Sequence, residues 1–345
     1  MISASTWAVV IITILVALAF DVINGFHDAA NSIATIVSTR VLSPRQAVLW
    51  AAFFNFIAIL IFPTAVAKTI EKIVHINPAD PAFVYVVLAA LVGAIVWDLL
   101  TWLWGLPTSS SHALIGGLVG AGMAHRGASV ISWEKVVSTV KFIPLAPLIG
   151  LALGYLIMVA VFWIFRRWRP LQVDRLFRRV QLLSAALYSL GHGGNDAQKT
   201  MGIIVALLVA AGILAPDTPL SLFHLNTAWI VLACGTAMAV GTACGGWRIV
   251  KTMGMRLTKL RPVGGSCAET AGALTLFMAT HWGIPVSTTH TITGAIIGVG
   301  ATNKLSGIKW GVAGRIVWAW IITIPASALV SALSFYALRV FHPSF

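Results

Sequence analysis

The chain is a succession of long apolar stretches separated by short polar ones. Ten of these stretches are near the roughly 20 residues that a helix needs to cross a hydrocarbon core. They run at about 7–40, 46–66, 83–103, 108–124 and 142–165, then at about 180–214, 224–246, 264–281, 286–302 and 312–340. The pattern predicts an all-α, polytopic membrane bundle. Two stretches, 7–40 and 180–214, are too long for one straight crossing and carry glycine and polar residues near their centres, which predicts broken helices there. The opening stretch 3–20 has no basic run ahead of it, and 21–30 holds no small-residue cleavage site, so it reads as a retained helix rather than a signal peptide.

Two pairs of segments repeat each other at long range. Asn24-Gly25-Phe26-His27-Asp28-Ala29-Ala30-Asn31-Ser32 lines up with His192-Gly193-Gly194-Asn195-Asp196-Ala197-Gln198-Lys199-Thr200 when Asp28 is set against Asp196. Further along, Pro107-Thr108-Ser109-Ser110-Ser111-His112 matches Pro285-Val286-Ser287-Thr288-Thr289-His290, and Gly116 falls opposite Gly294. The chain is a duplication with five crossings per copy, and an odd number turns the second copy over. This predicts two inverted-topology repeats, 1–165 and 180–345, joined by a basic linker over 166–179, with broken helices and helical hairpins meeting at the bilayer midplane.

Composition removes the competing classes. Hydrophobic residues make up 59% of the 345 and charged residues 10%, against about one quarter charged in soluble domains, and the mean hydropathy is +0.92, so a soluble globule is excluded. The net charge of +13 does not point to nucleic acid, because the basic residues sit in short loops between apolar stretches with few aromatic partners. With the N-terminus outside, 16 of the 23 basic residues fall on cytoplasmic loops. Six (Lys68, Lys72, Arg126, Lys135, Lys141 and Arg339) fall outside, and Lys199 lies within a crossing. The basic run in 166–179 also suits anionic membrane lipid. Cys234, Cys244 and Cys267 lie in or beside apolar stretches without metal-ligand spacing, so packing is their expected role, and neither a resident metal nor a cofactor is assigned.

The chemistry gathers at the repeated segments. An acid on a lipid-facing helix at the midplane costs about 2.5–3.5 kcal/mol by insertion scales, so Asp28 and Asp196 mark a pathway or an ion site. Pro107 and Pro285 suit helix starts, and the hydroxyls of Ser109, Ser110, Ser111 and of Ser287, Thr288, Thr289 then lie in or before a first turn. A helix N-terminus carries roughly half a positive charge and binds anions. Two such ends brought together by a pseudo-two-fold axis would surround a tetrahedral oxyanion, with His112 and His290 as further donors. The glycines Gly116, Gly117, Gly120, Gly122 and Gly294, Gly298, Gly300 recur at close spacing and read as packing faces. Glu269, early in its crossing, is a candidate for a proton path, whereas Asp98, beside Trp97 and near Trp102 and Trp104, reads as a solvated or arginine-paired acid in an interfacial belt.

At these residues the sequence resembles the PiT family of inorganic phosphate transporters, whose two signature copies centre on an Asn/His-Asp pair followed by small residues. Both copies are present, as Gly25-Phe26-His27-Asp28-Ala29-Ala30-Asn31 and Gly194-Asn195-Asp196-Ala197-Gln198-Lys199, together with both Ser/Thr elements. The resemblance implies secondary active symport of inorganic phosphate through the bacterial inner membrane by a homodimer, without enzymatic activity. It implies that phosphate is lined by Ser109, Ser110, Ser111, Ser287, Thr288 and Thr289, and that Asp28, Asn31, Asn195 and Asp196 take the family's cation and phosphate positions. Beside these, the residues themselves suggest Asn195 and Gln198 as further phosphate ligands, and Lys199, His27 and Glu269 with Asp28, Asn31 and Asp196 at the coupling ion.

Sodium-coupled relatives tend to carry Asn three residues after the signature Asp in both copies. Here the first copy keeps Asn31 but the second has Lys199, whose ammonium occupies the electrostatic place of a cation. His27 replaces the more usual Asn, and an ordinary histidine pKa of about 6.5 suits reversible protonation near neutral pH. Together these resemble the proton-coupled bacterial branch, associated with metal-phosphate complexes. The co-transported ion is thus expected to be a proton, with sodium coupling, a divalent metal carried with phosphate, and a sulfate permease of the same fold as the alternatives.

Overall fold

The computed structural model describes residues 4–62, 64–71, 73–74 and 82–341, so Lys72 and Ser3 lie outside the described residues. Apolar runs between polar punctuation become helices throughout: α1 (Ala4–Ser38), α2 (Pro44–Ile61), a short α3 (Ala65–Glu71), α4 (Phe83–Trp104), α5 (Ser110–Arg126) and α6 (Trp133–Ile164). They continue with α7 (Pro170–Ala210), α8 (Leu225–Cys244), a short α9 (Trp247–Lys251), α10 (Pro262–His281), α11 (Thr288–Asn303) and α12 (Trp310–Phe341). The ten long helices correspond to the ten expected crossings, and six of them (α1, α2, α4, α6, α8 and α12) are long and apolar enough to span a membrane.

The helix contacts come in pairs. α1 packs on α8 as α2 packs on α7; α4 lies along α5 as α10 lies along α11; and α1 meets α4 as α7 meets α10. The two largest contacts exchange partners between the halves, α5 against α12 and α11 against α6. Glycine makes the exchange possible, because a Cβ at Gly120 would fall on the Ala328 carbonyl of α12, and one at Gly298 on the Leu151 carbonyl of α6.

Three boundaries differ from the expectation. The stretches 7–40 and 180–214 are not broken: α1 and α7 are continuous helices of 35 and 41 residues. Their central glycines are close-approach points, with Gly25 against α8 and Gly193 against the Asn55 backbone, and they do not interrupt the helix. The interruptions lie at 106–109 and 284–287, which are non-helical and buried or half-buried, so that irregular backbone is shielded from lipid by protein. Each follows a matched turn, Trp104-Gly105 and Trp282-Gly283, with both glycines at φ +66° in the left-handed region where they end the preceding helix without Cβ strain. α5 and α11, at 17 and 16 residues, are therefore about 25 Å long, short of a full crossing. α6 starts at Trp133 and runs through Pro144 and Pro147, so Lys135 and Lys141 are helical rather than in a loop. α7 starts at Pro170, so most of the expected linker is helix, held to the end of α1 by Arg178, which pairs with Asp174 at 2.9 Å and donates to the Arg40 carbonyl at 3.2 Å.

Candidate functional site

Two facing helices carry polar stripes at helical spacing. On α1 the stripe is Asp21, Asn24, Asp28, Asn31 and Thr35; on α7 it is Gln181, Ser184, Tyr188, His192, Asp196 and Lys199. Spacings of three and four residues put each set on one face. All eleven of these side chains are buried.

The starts of α5 and α11 close on the stripes from either side, and their caps are twins. The Ser109 hydroxyl accepts from the His112 backbone N–H at 3.3 Å, and the Ser287 hydroxyl accepts from the His290 N–H at 3.2 Å. The two histidine rings then meet, with centroids 4.8 Å apart, and His290 stacks on Trp320. Neither ring has a side-chain hydrogen-bond partner, and the backbone of Ile143 lies beside His290.

Lys199 joins the two helix starts. Its ammonium donates to Asp196 and to Ser111, and reaches the Val286 carbonyl at 3.4 Å. Thr288 donates to the other Asp196 oxygen at 3.3 Å, and Thr289 to Asp28 at 3.4 Å. Asn31 donates to both Thr289 and Thr288, at 2.9 and 3.2 Å, and Tyr188 donates to the Thr288 carbonyl at 3.1 Å. Asp28, Asn31, Asp196, Lys199, Ser111, Thr288 and Thr289 thus form one bonded cluster. Ser110 adjoins it, its hydroxyl set toward Asp98.

His27 lies beside the cluster, its Nδ1 3.0 Å from Asp28 Oδ1 and its Nε2 3.1 Å from the Thr101 hydroxyl. Asp28, His192 and Asp196 each place a ligand atom within 4.8 Å of the others, a set able to hold a cation. The Lys199 ammonium already stands against one of those carboxylates.

Three expected site residues stand apart. The Gln198 amide donates to the Gly194 carbonyl at 2.6 Å and accepts from the Val66 N–H at 2.9 Å, tying α7 to α3. Asn195 donates to Thr280 at 3.2 Å, tying α7 to α10. Glu269 has its own shell, accepting from Thr35 at 2.6 Å, from Gln181 at 2.9 Å and from Ser184. Asp98 departs from the expectation outright: it is sealed at 0% exposure with no arginine partner among the described residues, facing His27 and the Ser110 hydroxyl instead, while Trp97 beside it turns inward and bonds Thr323 at 3.1 Å. Tyr188, His192, Thr101 and Asp21 escaped the motif reading, although the spacing of the α1 and α7 stripes carries three of them.

Comparison with known proteins agrees with this architecture. The model of the Phosphate transporter family matches residues 24–331. A protein of Rhizobium meliloti named "Probable low-affinity inorganic phosphate transporter" is 57% identical over 94% of this chain and 95% of its own length. One of the same name in Bacillus subtilis is 44% identical over 96% of this chain and 97% of its own length. A solved structure titled "The sodium-dependent phosphate transporter" superposes with a TM-score of 0.83 at 25% identity, covering 96% of this chain and 99% of that one. The matched motifs, the paired helix packing and the full-length similarity together make this chain a member of the phosphate transporter family, a multi-pass integral protein of the bacterial plasma membrane.

Proposed function

We propose that this phosphate transporter is a proton-coupled carrier that holds phosphate between the facing starts of α5 and α11. The supporting observation is that a single side chain, Lys199, bonds Ser111 of α5 and reaches Val286 ahead of α11. Its ammonium, the Ser110, Ser111, Thr288 and Thr289 hydroxyls and the backbone N–H groups of two capped helix starts are the donors a doubly charged oxyanion needs. Ser109 and Ser287 set those starts, and Asn195 and Gln198 hold α7 in place behind them. Asp28 and Asp196 accept a bond from hydrogen phosphate but repel sulfate, which selects between two anions of one shape.

The halves 1–165 and 180–345 act as inverted-topology repeats joined at 166–179, with the N-terminus outside, and the paired contacts favour this division. Alternating access needs such matched elements; catalysis does not, so the reading is of a transporter without enzymatic activity. The pairing of two copies and the binding of anionic lipid at the basic run are carried over from the family resemblance and the charge pattern. No bound cofactor is required, because the driving ion passes through with the substrate. A divalent metal arriving with phosphate would find Asp28, His192 and Asp196 as ligands.

Lys199 beside Asp196 supports protons over sodium, since a fixed ammonium holds the place a second-copy sodium would take. One observation favours sodium as the second reading: the Asn31 carbonyl oxygen, close to Asp28, has no partner. Uptake of labelled phosphate into proteoliposomes under imposed gradients decides. Saturable uptake that follows an inward proton gradient and withstands excess sulfate is expected. Uptake that follows sodium and ignores the proton gradient overturns the coupling, and strong sulfate competition overturns the choice of anion.

A further inference from the structure

Asp21 lies seven residues before Asp28, two turns along the same face of α1, and is 0% exposed. Neither of its carboxylate oxygens has a partner at ordinary hydrogen-bond geometry; the Thr200 hydroxyl, the Asn24 amide and the Cys234 thiol approach it as weaker donors. Asp196 and Lys199 of α7 lie beyond them. The Asn24 oxygen is itself buried and without a partner. Ala17 and Phe20 on α1, Met201 on α7 and Met238 on α8 belong to one buried apolar core.

An unpaired carboxylate is costly to hold in such a place, and a proton is the smallest occupant that removes its charge. A proton there removes a buried negative charge and adds an O–H donor to a site in which the Asp21 and Asn24 side-chain oxygens both lack a close partner. A metal cation is the poorer occupant, because among the described residues Asp21 shares no cluster of three histidine, cysteine or acidic side chains able to hold one. The acid also breaks the internal symmetry. The position matching Asp21 in the second repeat is Ser189, whose hydroxyl is spent on the Ala185 carbonyl at 2.8 Å, so Asp21 is not part of the paired anion cradle.

We propose that Asp21 is the site that loads and unloads the coupling proton. Facing outward, a carboxylate oxygen takes H⁺ from hydronium, forming an O–H bond and leaving water; facing inward, that bond breaks and the proton returns to water. One proton enters per cycle with no other covalent change. The assignment rests on the proton-coupled reading of the carrier and adds where its proton rides.

The test uses full-length protein in proteoliposomes and two readouts, accumulation of labelled phosphate driven by an inward proton gradient and exchange of phosphate for phosphate at equal pH. Asp21→Asn is expected to lose accumulation by tenfold or more while still exchanging phosphate, with exchange now flat across pH. Asp21→Glu is expected to keep driven accumulation with its pH midpoint displaced. The proposal is overturned if Asp21→Asn accumulates phosphate as the parent does, if it loses a sodium response instead, or if Asn and Glu variants both lose exchange along with accumulation, as a structural role requires. Parent protein that shows no proton-driven accumulation overturns the coupling reading itself, which the variants do not enter.

Discussion

Lys199 is a long cationic side chain sealed at 1% exposure, and it survives there because Asp196 and Ser111 take its donors. Removing one partner of a buried ion pair leaves the other charge unpaired, at a cost of about 3–5 kcal/mol. Lys199→Met should therefore lower the thermal midpoint in detergent and abolish phosphate uptake. Lys199→Asn should do less harm to stability and should make uptake respond to sodium, which a comparison of sodium and choline media would register; an unchanged response would count against the ammonium as a stand-in cation. His27 is bonded to Asp28 on one side and set against Thr101 on the other, and a neutral Asn at that position, as in the second copy, cannot titrate. His27→Asn is accordingly expected to lower the rate of uptake while leaving proton-driven accumulation in place, because the coupling proton is assigned to Asp21; loss of driven accumulation would place that proton at His27 instead. At this scale the sequence was most legible where a motif occurs twice. Asp98 was misread because its tryptophan neighbours look the same in one dimension whether they face a headgroup or a core.

The helix starts at α5 and α11 owe their direction to caps that mirror each other. Ser109→Ala and Ser287→Ala should each remove about 1 kcal/mol and weaken phosphate affinity alike, measured as paired shifts in melting and half-saturation. Unequal shifts would show that one helix start matters more to the substrate than the other. The glycine contacts are steeper: Gly120→Val or Gly298→Val places methyl groups on a neighbouring helix backbone and should cost about 1–3 kcal/mol or more, visible in the same melting assay. Most helices could be read from the apolar runs, and α12 falls within two residues of expectation at its start and one at its end. α6 could not, because Pro144 and Pro147 look like a helix start yet are accommodated inside one when neighbouring helices re-satisfy the freed backbone groups. The polar stripes of α1 and α7 made those helices look broken, since interruption and a buried polar face leave the same mark on hydropathy.

At the scale of the molecule, the ten long helices among the described residues were legible in the apolar runs, while the pairing of helices and the exchange of partners were not, because nothing in a linear pattern says which distant glycine face meets which helix. That exchange makes the two halves interdependent. α5 rests on α12 and α11 on α6, so each short helix that presents serine or threonine to the centre is braced by the other half's last helix. During synthesis, α5 enters the bilayer long before its brace has been translated, and must wait beside lipid with Gly116 and Gly120 uncovered. Assembly therefore cannot finish one half at a time. A chain stopped ahead of Trp310 should insert yet stay open to protease at the unbraced hairpin.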